Sequence, residues 1–271
     1  MYRLFAAVIT LTLIASPSVA APPDVMTIVK QMKEVFAPTG SRTQKVVIST
    51  TSDSGEKVEW IAAQARKQLP DGKRTLLVML APTDLKGTTL LIGEQQGLPD
   101  VMWWYPPALD RVRKLVPVMT SQDFLDTDFT LADLGFISRQ GTYKLLGEEE
   151  LNGMRTYKIE LVPEEQWYYS RIITWVAADS MLPLRRDFHD RTGKLWRSEF
   201  FEKIAPVNGI PTPLLIRMQD VQQGTSTEFR VSEVQTNVDV PDALFDPKQL
   251  PQAADSPLWQ GYFSPQVAEK K

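Results

Sequence analysis

The chain has 271 residues, a formal net charge of -3 and a sequence isoelectric point near 5.4. Nucleic-acid binding needs a net basic surface, so this charge argues against nucleic acid as a partner. Cysteine is absent, which excludes disulfide bonds, a thiol nucleophile and a thiolate metal site. The same absence excludes the lipidated cysteine that anchors bacterial lipoproteins.

The first 20 residues have the pattern of an export signal. Arg3 precedes an apolar run from Leu4 to Ile14, and Ser18-Val19-Ala20 forms a small-residue cleavage site. The apolar run is too short to cross a bilayer. We therefore expect residues 1–20 to be a signal peptide and residues 21–271 to form a single exported domain, soluble in the periplasm and not lipidated.

One helix and a long β-rich region follow the signal. Asp24 is placed to cap a helix that runs from Val25 to Phe36 and ends at Pro38-Thr39-Gly40. Beyond it, β-prone runs alternate with turn signals roughly every 8–12 residues, which is typical of an antiparallel meander. The expected strands are Thr43–Thr51, Lys57–Leu69, Arg74–Ala81, Thr88–Glu94, Val101–Tyr105, Arg111–Val116, Tyr143–Glu149, Arg155–Pro163, Tyr168–Ala177, Leu184–Asp190, Leu195–Ile204, Leu214–Gln222 and Glu228–Val234.

Several expected strands are apolar on both faces. Val101, Trp103 and Tyr105 alternate with Met102 and Trp104, for example. An antiparallel sheet with one solvated face shows a clean alternation instead. Two interpretations stay open: a few helices and sheet curvature cover both faces, or a strongly curved sheet encloses an apolar cavity on its concave side.

The sequence offers little for catalysis. His189 is the one histidine of the chain, and only Asp187 of its acidic neighbours shares its strand face. No nucleophile lies beside them, so a surface histidine is the better interpretation. We predict that the protein is not an enzyme and carries no metal or cofactor.

An acidic loop is the remaining candidate for chemistry. Its carboxylates lack the spacing of a calcium-binding loop, and aromatic residues interleave with them. We expect Asp128 or Thr130 to cap a short helix at Leu131–Leu134, and a hydrolase that uses this loop is the weakest alternative. The acidic residues are Asp123, Asp126, Asp128 and Asp133.

A set of short motifs in a fixed order carries a family resemblance. The motifs are Pro82-Thr83-Asp84-Leu85-Lys86-Gly87-Thr88, Trp104-Tyr105-Pro106-Pro107 with Arg111 and Arg113, Thr127-Asp128-Phe129-Thr130 with Asp133-Leu134, and Leu146-Gly147-Glu148-Glu149. Each is weak alone, but their order resembles the outer-membrane lipoprotein-sorting (LolA-like) family, in its longer branch of periplasmic members. The resemblance covers nearly all of the expected exported domain.

The resemblance implies a mainly β fold: a curved antiparallel sheet of about eleven strands that forms an unclosed β-barrel, with helices on its concave side. It also implies an apolar cavity that accepts acyl chains. The function implied is a periplasmic carrier that transfers a lipid or acylated lipoprotein between envelope components, with an RND/MmpL-type exporter as partner. We expect a monomer that contacts membranes transiently. A periplasmic adaptor that binds an envelope transport complex but no lipid is the main alternative.

Candidate site residues follow from apolarity, charge and position. The predicted lipid contacts are Trp60, Met79, Leu91, Trp103, Tyr105, Phe124, Phe129 and Trp175. The basic run Arg111, Arg113 and Lys114 is predicted to dock an acidic partner or a lipid headgroup, with a plain solvated strand face as the alternative. The tail from about residue 252 to residue 271 is expected to pack loosely.

Overall fold

The computed structural model describes residues 23–36, 40–95, 98–135, 141–164 and 168–262. The predicted signal peptide and the end of the predicted tail lie outside the described residues. None of the helices within these ranges has the length and apolar character needed to cross a bilayer.

The predicted first helix is confirmed as α1, Val25–Phe36. The carboxylate of Asp24 caps it, because its Oδ1 accepts a hydrogen bond from the backbone N–H of Met26 at 2.9 Å. Ile28, Val29 and Met32 form its buried face, as the helical spacing predicts.

Thirteen strands follow in one antiparallel sheet, and each lies at an expected strand run. They are β1 Ser41–Thr51, β2 Lys57–Leu69, β3 Gly72–Ala81, β4 Thr89–Gln95, β5 Leu98–Tyr105, β6 Arg113–Lys114, β7 Gly141–Leu151, β8 Met154–Pro163, β9 Arg171–Ala177, β10 Pro183–His189, β11 Leu195–Val207, β12 Ile210–Asp220 and β13 Thr225–Thr236.

The spatial order of the strands is β6-β5-β4-β3-β2-β1-β13-β12-β11-β10-β9-β8-β7. The first strand along the chain, β1, pairs with the last strand, β13. The sheet is therefore continuous across its centre. The strands β6 and β7 are its two free edges. The prediction of an unclosed antiparallel sheet is therefore confirmed, although the sheet has more strands than the eleven that the resemblance implies.

Two local predictions need correction. The expected strand Arg111–Val116 shrinks to the two residues of β6, because Asp110 adopts a left-handed backbone (φ 44°) and Pro117 starts a 3-10 turn. The expected helix at Leu131–Leu134 is a turn instead. Its side chains still cap it, since the N–H of Thr130 donates to Asp133 Oδ2 at 2.9 Å and the N–H of Asp133 donates to Thr130 Oγ1 at 3.2 Å.

One face of the sheet, the inner face, curves around an irregular covering segment. We name residues 115–134 the plug segment; it follows β6 and contains the 3-10 helix Pro117–Ser121. Its Phe124 contacts Trp104 of β5, and its Phe129 lies 4.5 Å from Phe229 of β13 between ring centroids. The plug segment also reaches β11, where Arg197 donates to its Asp123. Because one segment reaches strands on both sides of the centre, the sheet is curved. The helix α1 covers the same face at β8 and β9.

The opposite, outer face of β2 to β5 is covered by the C-terminal segment, residues 238–262. Leu76 and Val78 of β3 pack there against Leu250 and Trp259, all fully or nearly fully buried. Up to Tyr262, therefore, the C-terminal segment is more tightly packed than the sequence analysis expected. Both sheet faces are covered in this region, which explains strands that are apolar on both sides.

Candidate functional site

The plug segment is attached to the sheet by a buried carboxylate. Asp128 Oδ2 accepts a hydrogen bond from Thr227 Oγ1 at 2.6 Å, and its Oδ1 accepts one from the hydroxyl of Thr225. The backbone N–H of Asp128 donates to Thr227 Oγ1 at 2.9 Å. These bonds join the middle of the plug segment to β13, on the side where β13 begins.

A buried arginine provides a second attachment. Arg197 of β11 is 3% exposed and donates to Asp123 Oδ1 at 3.0 Å, at the start of the plug segment's turn. The same guanidinium lies 3.9 Å from Asp133 and 3.4 Å from Asp220. Since a buried cation needs such partners, the three carboxylates balance Arg197 electrostatically.

A buried tyrosine reinforces the end of the plug segment. The hydroxyl of Tyr169 donates to Asp133 Oδ2 at 2.9 Å. Burial raises the pKa of Tyr169 well above its ordinary value, with the negative charge of Asp133 as the next cause. Tyr169 therefore stays a neutral donor, and Asp123, Asp128 and Asp133 act as structural attachments. No group of three or more metal-binding side chains occurs among residues 23–36, 40–95, 98–135, 141–164 and 168–262.

The space beneath the plug segment is nearly filled. A cavity of about 60 Å³ lies here. The apolar side chains Leu77, Leu90, Phe129 and Phe229 line it, and so do charged ones, among them Arg186 and Glu199. Pockets that hold drug-sized ligands measure about 300–1,000 Å³. In this closed arrangement the inner face therefore has no room for an acyl chain at this place.

A larger apolar pocket opens where the plug segment meets the sheet edge. This edge pocket has a volume of about 170 Å³. Its apolar walls are formed by Trp104, Leu115, Met119 and Phe124. The positively charged side chain of Arg113 also lines it. The apolar walls match an apolar chain, and Arg113 and Asp123 place one charge of each sign at the lining.

A polar cavity of about 320 Å³ lies beside the edge pocket, and Asp123 lines both. Glu56 and Asp126 add negative charge, and Arg197 adds positive charge. The cavity lies at the end of the sheet where the β1–β2 hairpin turns. We refer to it as the rim cavity.

The predicted lipid contacts divide between the two faces. Trp60, Met79, Phe124 and Phe129 belong to the apolar cluster of the inner face. Leu91, Trp103 and Tyr105 lie instead on the outer face, beneath the C-terminal segment. Trp175 also points to the outer face, where Lys158 and Arg185 lie over its ring at 4.8 and 5.0 Å. The expectation that all eight share one cavity is therefore wrong, because side chains alternate along a strand.

Sequence reasoning missed several inner-face residues. Trp104 is the most important, since it lines the edge pocket and contacts Phe124. Trp104, and not its neighbour Trp103, could have been assigned to the inner face from sequence only under one condition. The apolar C-terminal residues Leu250 and Trp259 would first have had to be assigned to the outer face. Their spacing within a proline-punctuated tail gave little sign of this packing.

The predicted docking residues form an exposed basic edge. Arg111, Arg113 and Lys114 are exposed, and the latter two are β6 itself. The neighbouring Leu109 and Val116 are each 52% exposed. Cations and apolar side chains thus share one free sheet edge, beside the edge pocket.

The acidic strand neighbour of His189 is bonded to other side chains. Asp187, which shares its strand, accepts hydrogen bonds from Arg185 Nε and Ser198 Oγ, both at 2.8 Å. Burial lowers the pKa of His189, and the charge of Arg171 lowers it further. His189 therefore carries little charge at neutral pH.

A family model matches residues 71–252, and its description is that of an uncharacterized protein family. The chain belongs to this family, DUF1329. Its matched part includes the whole plug segment and the free edge at β6. A DUF1329 family protein from Desulfovibrio piger is 25% identical, with a TM-score of 0.77; the alignment covers 83% of this chain and 96% of the other.

The LolA-like resemblance is also confirmed. An outer membrane lipoprotein-sorting protein domain from Vibrio parahaemolyticus is similar in structure, with a TM-score of 0.78, 22% identity and coverage of 83% and 97% of the two chains. A LolA superfamily protein from Nitrosomonas europaea has a TM-score of 0.68, 19% identity and coverage of 83% and 98%. These two likenesses establish the fold alone. No curated protein sequence matches the chain.

Proposed function

We propose that this DUF1329 protein is a periplasmic carrier that binds a lipid or lipoprotein acyl moiety on the inner face of its sheet and transfers it between envelope components. One observation carries the proposal: an apolar inner face is covered by the plug segment, which is mostly irregular and attached by a few polar contacts. A segment of this kind can be displaced without breaking the sheet.

Closure and loading both depend on apolar contacts. Displacement of the plug segment uncovers Leu115, Phe124, Phe129 and Leu131, and a bound acyl chain returns about 0.8 kcal/mol for each methylene that it buries. The ligand replaces apolar contacts with apolar contacts, whereas the hydrogen bonds at Asp128 and Arg197 hold the plug segment closed.

The edge pocket supplies the entry in this proposal. It is already open, and its walls belong partly to the sheet (Trp104) and partly to the plug segment (Phe124). An acyl chain that enters there separates these two walls and continues beneath Phe129. Arg113 is placed to meet an anionic headgroup at the entry.

The location and the partners complete the proposal. The predicted export signal and the absence of cysteine support a soluble periplasmic protein. We propose that it acts as a monomer, without catalysis, and contacts membranes transiently. An RND/MmpL-type exporter at the inner membrane is the proposed partner, with the basic edge at Arg111 and Arg113 as the contact.

A reversible lock on the plug segment tests the carrier function. The protein has no cysteine, so Asp128→Cys and Thr227→Cys introduce one unique pair. The contact of 2.9 Å between the backbone of Asp128 and Thr227 Oγ1 brings the pair within the reach of a disulfide, whose Cα atoms lie about 4.4–6.8 Å apart. A fluorescent fatty acid serves as the probe.

We expect the oxidised double variant to lose binding of the fluorescent fatty acid and the reduced variant to regain it. The wild-type protein under the same oxidant controls for effects of the reagent. If the locked protein binds the probe as tightly as the reduced one, the plug segment does not cover the site. If no form binds it, and native mass spectrometry of the gently purified protein finds no lipid, the carrier function is wrong.

A second candidate function, a lipid-free adaptor for a transport complex, is favoured by the exposed basic edge. Leu109 and Val116 are exposed beside Arg111, Arg113 and Lys114. Charge reversal by Arg111→Glu and Arg113→Glu is expected to abolish complex formation under this function. Retained lipid binding in that double variant would show that docking and carrying are separate properties.

A further inference from the structure

The small cavity beneath Phe129 has a polar part as well as apolar walls. We name this cavity of about 60 Å³ the inner cavity. In ligand pockets, a few polar groups among apolar walls fix the orientation of the ligand. The inner cavity has this composition, and its polar and charged lining residues are Gln64, Arg66, Thr75, Asp133, Arg186 and Glu199.

The curvature of the sheet brings two of these residues, Thr75 and Glu199, to the same cavity. Thr75 lies on β3 and Glu199 on β11, and four strands separate β3 from β11 in the sheet. Thr75 shares its strand face with Leu77 and Met79 of the inner-face cluster. Glu199 pairs with Arg186 of β10 in the strand register. Because both side chains line the inner cavity, a polar group of a ligand bound there meets both walls.

Thr75 and Glu199 each have a buried oxygen atom that makes no hydrogen bond. Thr75 is 2% exposed and Glu199 is 5% exposed. Neither Thr75 Oγ1 nor Glu199 Oε2 has a hydrogen-bond partner within the part of the chain that the structure describes. The charge of Glu199 is nevertheless balanced, since Oε2 lies 3.1 Å from Arg186 Nη1. Buried polar atoms are normally hydrogen-bonded, so two open atoms in one cavity point to a bound polar group.

The chemistry of the lining favours a neutral group that both donates and accepts a hydrogen bond. Two cations, Arg66 and Arg186, and two carboxylates, Asp133 and Glu199, line the cavity, so a further charge of either sign would lack a counter-charge. An ionised carboxylate only accepts, whereas the hydroxyl of Thr75 donates and accepts. A hydroxyl group can donate to Glu199 and accept from Thr75, but a carbonyl group can only accept.

We infer that Thr75 and Glu199 bind a hydroxyl group of the carried lipid, so that the substrate class is an apolar chain or ring system that bears a neutral hydroxyl. This inference rests on the proposed carrier function. Both residues belong to strands of the sheet, and they therefore stay in place when the plug segment is displaced. Since the closed cavity has no room for an acyl chain, the hydroxyl is bound after the displacement.

Competition against a fluorescent fatty acid tests the inference. Burial raises the pKa of Glu199 to about 7, so the assay is run about one pH unit higher, where this carboxyl is mostly ionised. The competitors are octadecanoic acid and its derivatives with a hydroxyl or an oxo group, in mid-chain or at the methyl end. We expect at least one hydroxylated acid to compete roughly tenfold more strongly than both octadecanoic acid and the matching oxo acid.

Thr75→Val keeps the shape of the side chain and removes its hydroxyl. We expect this variant to lose most of the preference for the hydroxylated acid and to bind octadecanoic acid as the wild type does. Thr89→Val is the matched control: Thr89 is fully buried on the outer face beside Tyr105, and its hydroxyl already donates to the carbonyl of Gly87 at 2.8 Å. This control should keep the preference. Urea denaturation shows that each variant is folded.

The outcomes separate the hydroxyl site from the carrier function. If hydroxylated and plain acids compete equally with the probe on the wild-type protein, the hydroxyl site is wrong and the carrier function stands. An oxo acid that competes as strongly as the hydroxylated acid would also overturn the inference, because Glu199 would then not be the acceptor. A folded Thr75→Val variant with an unchanged preference would do the same. If the wild type binds neither the probe nor any acid, the carrier function fails and the inference fails with it.

Discussion

The indole of Trp104 meets the ring of Phe124 edge-on, with ring centroids 5.9 Å apart. Trp104 lies on β5 and Phe124 in the plug segment, so this contact joins the sheet to the cover over its inner face. Both rings also form walls of the edge pocket. Any opening of the plug segment must therefore separate them.

Truncation of Phe124 should affect both the stability of the protein and the closed state of the plug segment. Phe124 is 2% exposed, and we expect Phe124→Ala to lower the free energy of unfolding by about 3–5 kcal/mol. The variant should bind a fluorescent fatty acid more tightly than the wild type, because it removes the contact with Trp104 that opening must break. Urea denaturation and probe titration measure the two effects.

The matched control for Phe124 is Leu91, which is fully buried on the outer face. We expect Leu91→Ala to lose about 2–5 kcal/mol of stability without a gain in probe affinity. If both variants change probe affinity equally, the inner face is not the site of binding.

Loss of the Asp128 carboxylate should loosen the plug segment locally. Asp128→Ala removes its hydrogen bonds to Thr225 and Thr227, and we expect faster amide exchange across the plug segment. The free energy of unfolding of the whole protein should fall by about 1–3 kcal/mol, since the two hydroxyls lose a charged acceptor. Hydrogen exchange read by mass spectrometry measures the local effect. The control is Asp190→Ala at the β10–β11 turn, where faster exchange should be confined to that hairpin. If Asp190→Ala also speeds exchange in the plug segment, the attachment is not specific to Asp128.

Strand positions were predictable because turn residues and alternation are local signals. The β2 strand, Lys57–Leu69, is observed with its expected bounds, and the cap at Asp24 is observed as well. The length of β6 was overestimated because its start depends on the backbone of Asp110, and a non-glycine residue at φ 44° has no reliable sequence signal.

The candidate site was only partly predictable, because the identity of the inner face depends on what covers each face. Phe124 and Phe129 were found because their large aromatic side chains interleave with the carboxylates of this loop. Trp103 was preferred to Trp104 because alternation alone does not say which member of the pair points inward.

A buried ion pair predicts a pH effect on stability. Glu199 of β11 lies 3.1 Å from Arg186, and both are about 5% exposed. Burial raises the pKa of Glu199 from 4.5 to about 7, although the positive charge of Arg186 acts to lower it. Between these two pKa values the folded protein binds more protons than the unfolded chain. This group therefore destabilises the protein as pH rises from about 4.5 to about 7.

We expect Glu199→Gln to remove this dependence. Over that range the slope of unfolding free energy against pH should become less negative, by at most about 1.4 kcal/mol per pH unit. Urea denaturation across the range measures the slope. Glu202→Gln, whose side chain pairs with Arg217 at 2.9 Å and is 38% exposed, serves as control. A Glu199→Gln slope equal to that of the wild type would show that Glu199 does not titrate in this window.

The C-terminal segment should contribute to the stability of the whole sheet. Trp259 is 1% exposed, and its indole N–H donates to the carbonyl of Ala253 at 2.8 Å. We expect Trp259→Ala to lower the free energy of unfolding by about 3–5 kcal/mol, because its ring fills the outer-face cluster with Leu250. The exposed Leu109 offers the comparison, since Leu109→Ala should change stability by no more than about 0.5 kcal/mol. A similarly small effect of Trp259→Ala in urea denaturation would mean that the segment packs loosely, as the sequence alone suggests.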